Sequence, residues 1–197
     1  VAADCIFQLG TNAATEGDSW ALRTTAVDDE WICQSTDTAV TRSAATVSLN
    51  IDAVWAGFVG TFTSDTRRDV YLQSLANTAS STANKVVAAT GKFIHIAENL
   101  AGGSDWGAAN PNEARIAEIA VWNVVISSAS ITSYMSGTAA SSIEAANLVG
   151  YWPLSSASLT NLGLDAGGGL TAAGNAAFDA DHPTITTLAP IRLVWRM

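Results

Sequence analysis

RIAEIAVWNVVISSASITSYMSG, residues 115–137, sets a strand-like run directly against a helix-like one. In the first half, Ile116, Ala120 and Trp122 alternate with Ala117, Ile119 and Val121, the period-two pattern of a strand buried on both faces. Glu118 falls on the first of those faces. A carboxylate there needs an Arg or hydrogen-bonding partner, or a place near an edge. In the second half, Ser127 or Ser128 is an N-cap. Ile131, Tyr134 and Met135 form an apolar stripe at helical spacing, and Gly137 is placed to stop the helix in the left-handed conformation. SSIE at 141–144 has the form of a capping box for another turn.

Alternation recurs outward in both directions. Cys5, Phe7 and Leu9 share a face, as do Trp20 and Leu22, with Arg23 opposite; Trp31 and Cys33 continue the pattern, then Val47, Leu49 and Ile51. AVWAGFVGTFT (53–63) is apolar on both faces, and SDTRRD is a polar hairpin turn before Val70 and Leu72. STDTAVTRSAA and NTASSTANK read as polar connections, and FIHIAE returns to strand character. Residues 99–113 form a long loop, a length that is often functional. Many short strands separated by turn signals indicate an all-β sandwich or barrel.

The 197 residues suit one domain. Charged residues are 14% against 48% hydrophobic, with a net charge of −9. Ordinary soluble domains carry about 25% charged residues, so the surface is either neutral and hydroxyl-rich or covered by partners. No basic run exists to neutralise nucleic-acid phosphates or to bind an anionic membrane. No apolar stretch approaches the roughly 20 residues of a membrane span. A meander of the first three strands puts Cys5 and Cys33 two strands apart, about 9.6 Å. A disulfide needs Cα atoms within about 7 Å, so two free thiols are expected, and two cysteines are too few for a structural zinc site.

The order strand, short helix, glycine, then LVGYWPL resembles the concanavalin A-like jelly roll in its laminin-G and pentraxin-like branch. The matching residues are Ile116, Glu118, Ile119, Trp122 and Asn123; Ser127, Ile131 and Gly137; and Leu148, Val149, Tyr151, Trp152, Pro153 and Leu154. VWAGFVGTFTSDTRRDVYLQS is similar to that family's hairpin through Trp55, Val59, Phe62, Arg68, Val70 and Tyr71. The resemblance covers about residues 1–185. It implies a two-sheet antiparallel jelly-roll sandwich with one or two short helices over residues 1–187, in which the short helix plugs the rim of the core. Three departures stand out. LQSLAN replaces the family's Asp-Gly turn, Ser130 stands where an acidic residue precedes Ile131, and the family's opening strand has no counterpart before Val1. The tail 188–197, with Ile191, Leu193 and Trp195 alternating with Arg192, Val194 and Arg196, is a candidate added strand or partner-docking arm.

Glycoside hydrolases on this fold need two carboxylates facing each other across a cleft. Glu113 and Glu118 are five apart and point to opposite faces of a strand, so no catalytic pair is expected. His95 shares a face with Phe93 and Ala97 as a packed histidine, and His182 lies in a turn. The resemblance brings calcium as a common ligand, with Asp179 and Asp181, or Asp105, Asn110 and Asn112, as contributors; no D-x-D-x-D-G loop is present, and no cofactor or metal site is assigned. Carbohydrate binding needs an exposed ring with polar neighbours, and Trp106 with Asp105, Asn110 and Asn112 is the best fit. The resulting expectation is a non-catalytic structural or assembly module of a virion surface (capsid decoration or fibre) or of a cell surface. Its partners are other protein subunits and, in the alternative reading as a lectin, glycans.

Overall fold

The computed structural model describes residues 5–10, 19–24, 30–37, 42–48, 55–84, 93–96, 116–154 and 159–163. Within them the chain is mostly antiparallel strand. β1 (Cys5–Gly10), β2 (Ser19–Thr24), β3 (Glu30–Thr36), β4 (Arg42–Ser48) and β8 (Phe93–Ile96) make a five-stranded sheet in the order β4-β3-β2-β1-β8. β5 (Phe58–Ser64), β6 (Arg67–Leu72) and β7 (Ser74–Ser81) form a second sheet, and β9 (Ile119–Trp122) pairs with β10 (Leu148–Trp152) in a third. Cys5 and Cys33 do stand on strands separated by β2, and Cys33 is a buried free thiol.

Alternation explains the layering. Phe7, Leu9, Leu22, Trp31, Cys33, Ala45 and Val47 point from the five-stranded sheet into a core that Phe58, Phe62, Val70, Leu72, Ile119, Val121 and Trp152 complete from the other two sheets. The intervening residues Val59, Ala120, Trp122, Leu148 and Tyr151 point the other way and build a second core. β5, β9 and β10 are therefore apolar on both faces because they lie between two covers.

The second cover is α1 (Ser128–Met135), which buries Ile131, Tyr134 and Met135. The rim-plug reading is corrected here: α1 packs on the back of the middle strands, with Val59, Ala120, Trp122 and Tyr151, because their outward side chains need a partner. Burying Ile131 and Met135 contributes about 1.5–3 kcal/mol each. Gly57 makes the approach possible, since a Cβ there would lie 2.9 Å from Met135 Cγ. Across the first core, a Cβ at Gly60 would collide with Leu22 and press on Cys33 Sγ.

The caps of α1 follow the sequence, with one addition. Ser127 is the N-cap, its Oγ accepting from Ser130 N at 3.1 Å, and Gly137 has φ 103°. SSIE does not cap a helix of its own. A short 3-10 turn at Ala140–Ser142 takes in its two serines and another follows at Ala145–Asn147, and no side chain caps either. Glu144 instead accepts from Ser127 N at 2.9 Å and from Ser130 Oγ at 2.7 Å. A capping box takes that carboxylate from the third helical residue. Here the third residue is Ser130, and Glu144 supplies the group from a distant position.

Two polar stretches read as connections are strands. β4 begins at Arg42, inside STDTAVTRSAA, and β7 occupies SLANTASS. Both pair with a neighbour along one edge. Backbone ladders with a half-covered face tolerate Ser, Thr and Ala, which is why hydropathy alone missed them. The β6–β7 connection is irregular, with Gln73 at φ 61° and a register shift after Tyr71.

Candidate functional site

Strand register assembles a polar face on the five-stranded sheet, on the side away from the core. Partnered residues of antiparallel strands share a face. Ala44 pairs with Gln34, Gln34 with Ala21, Ala21 with Gln8, and Gln8 with His95, giving one row across all five strands. Neighbouring rows hold Ser19 with Thr36 and Arg23 with Ile32. Alanine at position 21 leaves a dip between two glutamines. The band is a closed one: Gln8 is 2% exposed, Arg23 5% and Gln34 5%. Gln8 Nε2 donates to Ser19 Oγ at 3.0 Å and Gln34 Nε2 to Thr36 Oγ1 at 3.1 Å. Among the described residues this face opens towards β4, at the exposed Thr46 and Ser48. Sequence reading placed Arg23 on this side and missed the glutamines, whose period-two spacing against Phe7–Leu9 and Cys33 was the available signal.

A second cluster sits on β5, β6 and β7. Arg67 Nε donates to both Asp69 oxygens at 2.9 and 3.0 Å, and its Nη2 lies 2.6 Å from Oδ1. Ser80 donates to the same carboxylate, with Thr61 Oγ1 at 3.5 Å. The ion pair raises the Arg67 pKa, chiefly through its hydrogen bond to Asp69. On the opposite side of β6, Arg68 is buried. Its Nη1 donates to the Ala83 carbonyl and its Nη2 to that of Asp65, each at 2.9 Å. Burial lowers its pKa, opposed by Cys33 and Asp65. Both arginines tie the ends of this hairpin sheet together.

Glu118 sits at the junction of the two halves of the opening stretch. It is 0% exposed, with φ 57°, so β9 starts one residue later, at Ile119. Its N–H donates to the Pro153 carbonyl at 2.9 Å. Tyr151 Oη donates to its Oε2 at 2.7 Å, and the Tyr134 hydroxyl donates to its backbone carbonyl. Through its carboxylate and its backbone, Glu118 thus ties the start of β9 to β10 and α1, a scaffold role.

The residues singled out for chemistry fall elsewhere. Trp106, Asp105, Asn110 and Asn112, the loop carboxylates Asp179 and Asp181, Glu113, His182, and the tail residues Ile191, Leu193 and Trp195 lie outside the described residues, and of His95 only the backbone register is described. Among the described residues no group of three or more His, Cys, Asp or Glu is placed to hold a metal ion, and no helix is long and apolar enough to cross a membrane. No protein-family model, curated protein or solved structure matches the chain.

Proposed function

We propose that this chain is a non-catalytic structural or assembly module, a subunit of a virion surface or of a cell surface, built on a jelly-roll sandwich of the laminin-G and pentraxin-like type. The order of β9, the capped α1, a left-handed Gly137 and β10 along the chain supports the fold reading. The observation that carries the functional reading is that most of the broad-face surface of the described sheets is covered by the chain's own atoms. The glutamine band is buried on one side of the five-stranded sheet, and the middle strands are buried on both sides. A small-molecule site needs an open concavity lined by a few convergent polar groups. A molecule with covered faces meets partners through strand edges, helix surfaces and loops. The exposed side of α1 fits this, offering Ser128, Ala129, Thr132 and Ser133 and no charge.

Sedimentation velocity on the full chain over a wide concentration range tests the reading. Reversible or stable self-association is expected. A monomer at every concentration overturns it.

A further inference from the structure

Among the described strands, β10 pairs with β9 alone. Its other edge meets residues 159–163, LTNLG, which are not a strand. The Tyr151 N–H donates to Asn161 Oδ1 at 2.8 Å, and the Leu162 N–H donates to the Tyr151 carbonyl at 2.8 Å. Asn161 Nδ2 donates to the Val149 carbonyl at 3.3 Å, and the Gly163 N–H donates to Asn161 Oδ1 at 2.8 Å. A side-chain amide carries the same donor and acceptor types as a peptide group. Asn161, 4% exposed, therefore stands to β10 as the backbone of a neighbouring strand would.

Close approach matters as much as the amide. A Cβ on Gly163 would lie 2.7 Å from Gly150 N and from the carbonyl carbon and oxygen of Val149. Those are backbone atoms of β10, which have no rotamer to escape into. Burial of Leu162 does little to hold the segment, because that side chain is 60% exposed, the one large hydrophobic so exposed among the described residues. The attachment is made by hydrogen bonds converging on Tyr151 and Val149 and by the missing side chain of Gly163.

We propose that residues 159–163 are a strap that closes the outer edge of β10 to a second copy of the chain, with Asn161 as its clasp. A strand edge with unguarded N–H and C=O groups is a template for pairing. Tyr151 turns both its N–H and its C=O to this edge. In an antiparallel ladder such a residue pairs with its own counterpart, each N–H meeting the other's carbonyl. β10 is thus complementary to itself about a two-fold axis through Tyr151, and the strap occupies that place within one chain. The inference goes beyond the assembly reading, since it names an edge at which copies are kept apart.

Release of the strap tests it. In the full chain, Asn161→Ala removes the amide, and Gly163→Ala lifts the backbone contact while leaving the amide in place. Each should tighten self-association about tenfold or more relative to the wild type in sedimentation velocity. Asn161→Asp keeps the acceptor oxygens and loses the donor to Val149, and should fall between the wild type and Asn161→Ala. Amide NMR locates the effect: the Tyr151 and Val149 signals should move in each variant while those of β9 stay, and broadening with rising concentration should centre on Tyr151. Loss of the β9 signals marks a variant that has not folded, and the remaining two then carry the comparison. Unchanged association in folded variants, or association that leaves Tyr151 sharp and broadens other signals, overturns the strap. A monomeric wild type overturns the assembly reading alone, because the strap is read from the difference between variant and wild type.

Discussion

Gly60 shows how one missing side chain sets the spacing of the layers. Its position faces Leu22 and Cys33 across the first core, with no room for a methyl group. Gly60→Ala should therefore destabilise the fold by about 1–3 kcal/mol, the range for overpacking a filled core, read as a lowered urea midpoint. Beside it, burial raises the Cys33 pKa well above its usual value, with Arg68 opposing and Asp69 adding to the shift. The folded protein then holds a proton that the unfolded thiol releases. The stability this confers is intact below the unfolded value, near 9.0, and declines as the pH rises past it. Urea titrations should show that decline, and Cys33→Ala should flatten it. Tyr71, also raised by burial, contributes a residual slope of the same sign. The two-sided burial of Trp122 and Val121 could be read from alternation alone. The left-handed backbone of Glu118 could not, because the tyrosines that hold it come from positions 134 and 151.

At the scale of the element, α1 was the most readable part of the chain. Its cap, stripe and stop are local signals within ten residues, and all three stand as the spacing indicates. What the helix covers was not local. It depends on Val59, Ala120 and Tyr151 presenting a second apolar surface, and on Glu144 replacing the carboxylate that Ser130 lacks. Ser127→Ala should cost about 1 kcal/mol, and Glu144→Ala a comparable amount. The double variant should lose less than the sum, because both groups satisfy the same helix terminus. Chemical denaturation of the four proteins measures this directly. β4 and β7 were illegible for the opposite reason. Their serines, threonines and alanines carry little apolar signal, and only pairing with β3 and β6 makes them strands.

For the whole molecule, the layer count was the main thing sequence could not supply. Period-two burial indicated two pleated sheets with a shared interior, and three sheets around that interior, with a helix behind, is what the described residues form. The polar band of Gln8 and Gln34 became visible only through register across five strands. The tail remains a separate proposition. An alternating segment with Ile191, Leu193 and Trp195 would be costly in water, so deleting residues 188–197 should lower the melting temperature or reduce the solution mass. An unchanged value of both would remove the docking role from this segment.

The middle strands carry a kinetic signature as well. Ile119 to Trp122 are sealed from above and below, so water reaches those amides only when a whole layer lifts away. In deuterium labelling they should be the slowest protons in the described part of the chain, exchanging at the rate of global opening. β7, alternately exposed along its length, should take up label first.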